Sequence, residues 1–359
     1  VLLFAIAMKN YKTKIGYVFC SIFFLVNLTL IAQTDSTDAA LEDYSMYGDE
    51  TKVKRFATQK VLNLSATKLI SIGYEFHGAH TMDVAMGNGS FDEYYKVRSV
   101  SQPRIFANFP IISNDRIILN LGAQYWGSAY SVQTDKNTTS LNIPAKYLDE
   151  HMLHSVGVIA SMFKPLNERN YLILQANLDF NSAFPGNGVS PNGDAFTLSG
   201  AAIYGWKPNE RKMWGIGVSR TYRMGRPIIV PVLMWNQTFN NKWGTEIILP
   251  AKAFIRRNFS AKSLLLAGYE LEGNQYLLPG ANTGQQGGDI FLQRGEIKPR
   301  IQWERQVNNF IWLSAQAGAR INGRFNFTNV YNGKEENEIF RTNLGTPFYF
   351  NLSLNLISP

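Results

Sequence analysis

Leu172-Ile173-Leu174-Gln175-Ala176-Asn177-Leu178-Asp179-Phe180-Asn181 sets Leu172, Leu174, Ala176, Leu178 and Phe180 against Gln175, Asn177, Asp179 and Asn181. Alternation with period two is the signature of a strand with one apolar and one polar face. The pattern recurs along the chain. Ile70, Ile72, Tyr74 and Phe76 oppose Ser71, Gly73, Glu75 and His77, and Ile117 to Tyr125 oppose Arg116 to Trp126 in the same way. Ile297, Pro299, Ile301 and Trp303 oppose Lys298, Arg300, Gln302 and Glu304. Phe348, Phe350, Leu352, Leu354 and Leu356 oppose Tyr349, Asn351, Ser353 and Asn355.

A soluble sandwich alternates too, but these segments run for about 10–14 residues. That is near the length of a tilted membrane strand and longer than the usual strand of about 5–6. Connections alternate between short (near 110–115, 164–170, 207–212, 240–242, 257–261 and 306–309) and long (near 78–93, 131–149, 182–194, 273–290 and 323–344). Short turns at one end and long loops at the other are the pattern of a bacterial outer-membrane barrel. Lys164-Pro165-Leu166-Asn167-Glu168-Arg169 and Lys207-Pro208-Asn209-Glu210-Arg211 repeat one turn chemistry, with Pro and Asn to initiate the turn. Phe163 and Tyr171, Trp206 and Trp214, Phe239 and Trp243, and Trp303 and Phe310 flank four short turns, as a membrane girdle requires.

Composition agrees. Charged residues are only 17% of the 359 residues, below the roughly 25% of a soluble domain, while 45% hydrophobic content argues against disorder. Past the first residues no apolar run is long enough for a multi-helix membrane protein. The single Cys20 closes no disulfide.

Met8, Lys9, Lys12 and Lys14 precede the apolar run Ile15–Ala32. This predicts a secretory signal peptide over residues 1–32, with residues upstream of Met8 included; a permanent anchor is the alternative. Cys20 stands inside the run, so lipidation is not expected. Losing three Lys and no acid leaves a formal charge three below the +8 of the whole chain, too mild to argue for nucleic acid. Residues 33–60 read as a polar, periplasmic N-terminal extension, with a lumen plug as the alternative. The barrel itself is expected over 61–359: an all-β, transmembrane antiparallel up-and-down β-barrel of about fourteen strands. That count requires Pro250 to lie in a tight turn between strands 243–249 and 251–257; twelve or sixteen strands are the alternatives.

The chain resembles the uncharacterised outer-membrane β-barrel families of Bacteroidota. The likeness rests on Ala32-Gln33, Ile70-Ser71-Ile72-Gly73-Tyr74, Trp243 followed by Leu249-Pro250, and the terminal strand at 348–356. It covers roughly residues 55–359 and implies fold and location, but no catalytic residues. The ending Ile357-Ser358-Pro359 departs from the terminal aromatic residue that many such barrels carry.

No nucleophile elbow, phosphate loop, zinc-protease or dinucleotide motif is present, so neither enzyme activity nor a cofactor or metal is expected. Gly186-Asn187-Gly188 and Gly284-Gln285-Gln286-Gly287-Gly288-Asp289 read as loops. His77 and His80, and His151 and His154, are spaced by three, which on a strand separates their faces; they read as solvated rim residues. Parity points Glu75, Arg98, Arg104, Arg116, Asp179, Lys298, Arg300, Glu304 and Arg320 inward. Such a set would give an anion-selective lumen, unless the charges pair with one another. The leading reading is a passive channel or small-solute transporter of a Gram-negative outer membrane. A non-conducting envelope scaffold acting through its loops is the second, and a lipid-modifying barrel enzyme the third. Expected partners are outer-membrane lipid, the barrel-assembly machinery and a small solute.

Overall fold

A computed structural model describes residues 57–357 apart from 88, 92, 134–142, 184–192 and 282–288. Both glycine loops, apart from Asp289, and the signal-peptide segment lie outside the described residues. The chain runs through β1 (Lys68–His77), β2 (His80–Met86), β3 (Glu93–Asn114), β4 (Ile117–Gln133), α1 (Ile143–Glu150), β5 (Leu153–Pro165), β6 (Asn170–Ala183), β7 (Phe196–Asn209) and β8 (Lys212–Thr221). It continues through β9 (Ile228–Thr238), β10 (Trp243–Leu249), β11 (Lys252–Ser260), β12 (Ser263–Leu278), β13 (Ile290–Asn308), β14 (Ile311–Ala319), β15 (Ile321–Thr328), β16 (Glu338–Leu344) and β17 (Phe348–Ile357).

Antiparallel pairing proceeds from β3 through β14, then β14 to β17, β17 to β1, and β1 back to β3. The ring is closed, and it has fourteen strands. Three of them are interrupted: β2 prolongs β1, β15 prolongs β14, and β16 leads into β17. Pro250 does sit in the tight turn between β10 and β11, as the fourteen-strand count requires.

Over the half nearer the short turns the apolar face points out. Leu174, Leu178, Ile216, Val218, Ile255 and Ile301 are exposed there, while Asp179, Arg256, Gln302 and Glu304 are buried on the inner face. In the other half the polarity inverts. Met82, Val84, Tyr95, Val97, Tyr130, Phe325, Phe327 and Phe340 form a buried core inside the barrel, joined by Tyr147 and Leu148 of α1. Tyr94, Lys96 and Arg98 project outward from β3. The inversion is set at one level by the breaks at Gly78-Ala79, Arg320 and Gly345–Pro347 and by a β-bulge between Val97 and Ser99. A bulge adds one residue and so exchanges the faces.

The long loops expected at 78–93 and 323–344 are therefore largely strand. Their inward apolar side chains, opposite to the membrane pattern, hide them from a search for outward apolar faces. Here too β12 leans across to β6, with Leu277 bridging Ser182. β7 to β11 take no part in the ring above that bridge.

Three of the four aromatic pairs face outward near the turns; Trp206 stacks on Trp214 at 4.4 Å. The fourth does not. Phe163 and Tyr171 stack at 5.2 Å inside the barrel. Gly205 has no side chain to obstruct Tyr171, whose hydroxyl donates to the Trp214 carbonyl at 2.9 Å.

Candidate functional site

The interior has three tiers. At the turn end, residues 57–66 lie across the mouth before β1 begins. Ala57 and Val61 join Phe163, Tyr171, Ile203, Met213, Val232 and Met234 in one apolar cluster. Ala66 packs on another built from Phe254, Leu264, Leu266, Trp312 and Ile357. Polar ties fix this strap. The Ala57 amide donates to Asn167 O and the Leu62 amide to Glu210 O. Ser65 donates its amide and hydroxyl to the Glu246 carboxylate at 3.1 and 2.7 Å. Lys207 Nζ donates to Lys60 O at 2.9 Å and to Thr58. Burial lowers the Lys60 ammonium from its ordinary value, with Glu246 pulling the other way. The end of the expected polar extension is thus packed into the barrel mouth, where Val61 and Ala57 have apolar partners.

The middle tier is water-accessible. Gln175 is exposed although it is on the inner face of β6, and Asn120, Gln124, Ser161, Asn177, Ser199 and Ala201 are half-buried around it. This wall of β4 to β7 carries a single charged side chain, Asp179, among neutral ones. The opposite wall, from β1, β3, β12, β13 and the break between β14 and β15, carries an ion-pair lattice. Glu75 and Lys298 are both 0% exposed and pair at 2.9 Å. Glu75 also binds Arg320 at 2.6 Å, His77 at 2.9 Å and Arg104 at 3.4 Å. Glu272 binds Arg104, Arg320 and Lys298 at 2.8, 2.9 and 3.0 Å. Glu296 pairs with Arg294 at 2.7 Å and with Arg320. Three carboxylates thereby answer four cations, an arrangement a low-dielectric interior needs before it can hold charge. At its rim Arg300 pairs with Glu270 at 2.7 Å and Glu304 with Lys68 at 2.7 Å. Arg104 lies 5.1 Å from the centre of the Trp126 ring.

Seven of the nine charges assigned to the lumen by parity face inward: Glu75, Arg104, Asp179, Lys298, Arg300, Glu304 and Arg320. Asp179 stands on the β4 to β7 wall, where Gln124 Nε2 donates to it at 2.6 Å. Two are corrected. Arg98 is exposed on the outside because the Val97/Ser99 bulge exchanges the faces. Arg116 is exposed in the β3–β4 turn, where no inner face exists. Glu272, Arg294 and Glu296 were missed: they border the stretch read as a loop, and Gly273 and Gly295 dilute the alternation there. The histidines are not a solvated rim set. His77 shares the Glu75 face and is buried in the lattice, His154 Nδ1 lies 3.0 Å from Tyr125 Oη, and His151 stacks on Tyr147 at 4.2 Å. Among the described residues no group of three or more His, Cys, Asp or Glu could hold a metal ion.

The upper tier is the apolar core under α1. Asp149 accepts the Val132 amide at 3.0 Å, and Tyr147 donates to Pro279 O at 2.8 Å. Burial pushes the Tyr147 phenol up.

The domain of unknown function DUF6268 matches residues 112–356, more than half of the chain and all of the barrel from the end of β3. The chain belongs to this family. The lattice crosses the DUF6268 boundary: Glu272, Glu296, Lys298 and Arg320 lie within the matched span, Glu75 and Arg104 before it. Comparison with curated proteins gives no match. Among solved structures, the chain is similar to a Pseudomonas aeruginosa FadL homologue at 12% identity and TM-score 0.38, over 80% of this chain and 90% of that one. An outer-membrane channel from Pseudomonas putida F1 gives 13% identity and TM-score 0.36, over 87% and 100%. The Pseudomonas putida toluene transporter TodX gives 9% and 0.30, over 84% and 95%.

Proposed function

We propose that the protein is an integral barrel of a Gram-negative outer membrane, its short turns facing the periplasm, that passes a small polar solute through an occluded chamber. The observation that carries this reading is the water-accessible middle tier, enclosed by the strap below and the apolar core above. An open porin needs a continuous aqueous path, and the two apolar tiers interrupt one. A chamber walled by Gln175, Asn177, Gln124 and Ser199 offers neutral donors and acceptors that can replace a solute's hydration. The paired lattice weakens the case for a basic, anion-selective lumen: Glu75, Glu272 and Glu296 offset all but one of the positive charges of Arg104, Arg294, Lys298 and Arg320. Outer-membrane lipid and the assembly machinery are the partners this location requires, and the reading assigns no catalytic step or cofactor.

Proteoliposome efflux of small neutral solutes tests the proposal. Flux should be slow and saturable, and Ala201→Trp, which fills the chamber, should abolish it while the barrel stays folded. Steady ohmic conductance of the wild type would instead describe an open channel. A second reading, a non-conducting envelope scaffold, is favoured by the packed outer tier; no flux in either protein would select it.

A further inference from the structure

Five of the six short turns share a construction that a role in the chamber does not require. In each of the five a side-chain oxygen accepts the backbone N–H two residues later, at 2.9–3.1 Å: Asn114 caps Arg116, Asn167 caps Arg169, Asn209 caps Arg211, Asn240 caps Lys242, and Ser260 caps Lys262. The capped residue is a cation every time. Such side-chain-capped turns need no charge at that position, and a turn kept in water could use either sign. All five cations are exposed, as is Arg305 beside the sixth turn. Among the described residues of these turns, only Asp115, Glu168 and Glu210 stand against them, and Glu210 is engaged by the buried Lys207 at 2.8 Å.

Just inside this ring, on the lipid-facing side, Lys212 lies 4.2 Å from the centre of the Trp235 ring. Arg257 lies 5.2 and 5.3 Å from the centres of Trp243 and Phe259. An aromatic ring at the membrane–water boundary with a cation above it is suited to the level of lipid headgroups. Arg211 and Lys242 line a shallow, open surface depression with Asn240, Asn241 and Trp243.

We propose that this rim is a binding surface for the phosphate headgroups of anionic phospholipid in the leaflet it meets. The inference rests on the membrane reading above. Repeated turn geometry sets the cations at one height, and the stacked pairs hold two more at the apolar boundary. A phosphate there is offered several donors without desolvating any of them fully.

The test uses detergent-solubilised full-length protein reconstituted into bilayers of equimolar phosphatidylglycerol and phosphatidylcholine, then extracted gently for native mass spectrometry of retained lipid. One variant carries Gln at Arg116, Arg169, Arg211, Lys242 and Lys262. A control carries Lys96→Gln and Arg98→Gln at the opposite end. Wild type and control should enrich phosphatidylglycerol about fivefold or more at low salt, what one cation near an anionic surface contributes. The five-site variant should fall close to parity, as should the wild type in high salt. Heat-modifiable migration confirms that each barrel is folded. Equal retention by the wild type, or a preference that survives in the five-site variant, overturns the proposal. A protein that does not enter the bilayer retains no lipid of either kind, and that result overturns the membrane reading and this inference together.

Discussion

Glu75 is held by a primary ammonium, two guanidiniums and an imidazole, all reached from strands other than its own save His77. Glu75→Gln keeps the shape and removes the charge that Lys298 and Arg320 share. Leaving a buried cation short of its counter-charge typically costs about 3–5 kcal/mol. The urea midpoint of the refolded barrel should drop accordingly, and Lys298→Met in the same chain should recover part of the loss. Leu174 and Asn177 test parity. Leu174 is exposed on the outer face of β6, so Leu174→Arg should cost about 2–4 kcal/mol near mid-bilayer. Asn177→Arg, pointing into the chamber, should assemble normally. Equal folding yields for the two would contradict this orientation of β6. At this scale the sequence was informative wherever alternation was unbroken: Glu75, Asp179, Lys298, Arg300 and Glu304 sit where period two puts them. It failed at Arg98, since nothing in Val97-Arg98-Ser99 announces a bulge. It also failed at Glu272 and Glu296, each flanked on one side by a glycine, Gly273 or Gly295, instead of by apolar residues on both sides.

Among elements, the strap of residues 57–66 is the one most easily moved. Its apolar anchors are small, and its polar ties converge on Glu246 and Lys207. Glu246→Gln with Lys207→Gln should loosen it by on the order of a hundredfold, the effect of losing two charge-assisted hydrogen bonds of about 1.5 kcal/mol each. A Gln175→Cys reporter reads this directly: its labelling by a water-soluble thiol reagent from the turn side should quicken by that factor, and unchanged labelling would show that the strap is not the closure. The strap's role was hidden in sequence because residues 33–60 are polar as a group, and Val61, Leu62 and Leu64 are too few to show a period. The pair Tyr171 and Gly205 was hidden for another reason. Aromatics at strand ends suggest a girdle, and only the inward parity of Tyr171 reveals that its ring crosses the space over Gly205. Gly205→Val would meet that ring at once. Overpacking of this kind costs about 1–3 kcal/mol, visible as a lower unfolding midpoint.

For the whole molecule, fourteen strands closing through β17 and β1 should give a protein that migrates faster unheated than boiled; identical migration would count against closure. Fold class was legible in full because it depends on segment length, alternation and the short–long rhythm of connections, all of which are local. The tiered interior was not, because it depends on which strands break at a common height. The ion-pair lattice needs partners from β1, β3, β12, β13 and the β14–β15 break that are up to 245 residues apart in the chain.

The level at which the polarity inverts has a consequence for immersion. On β6 the lipid-facing run from Leu172 to Phe180 spans nine residues; at about 3.3 Å each and a tilt of about 40°, it is roughly 23 Å tall, near the apolar thickness such a barrel needs. β3, with 22 residues, is by the same arithmetic more than twice that height. The protein therefore has a waterline fixed by its own breaks and bulge, with about half of its tallest wall standing in water as a rigid, side-chain-filled turret. The height of that projection over a supported bilayer, measured by neutron reflectometry or force microscopy, should be a few tens of ångströms. In the orientation proposed above, its top, where α1 is seated, is the part of the protein furthest from the bilayer on the outer side.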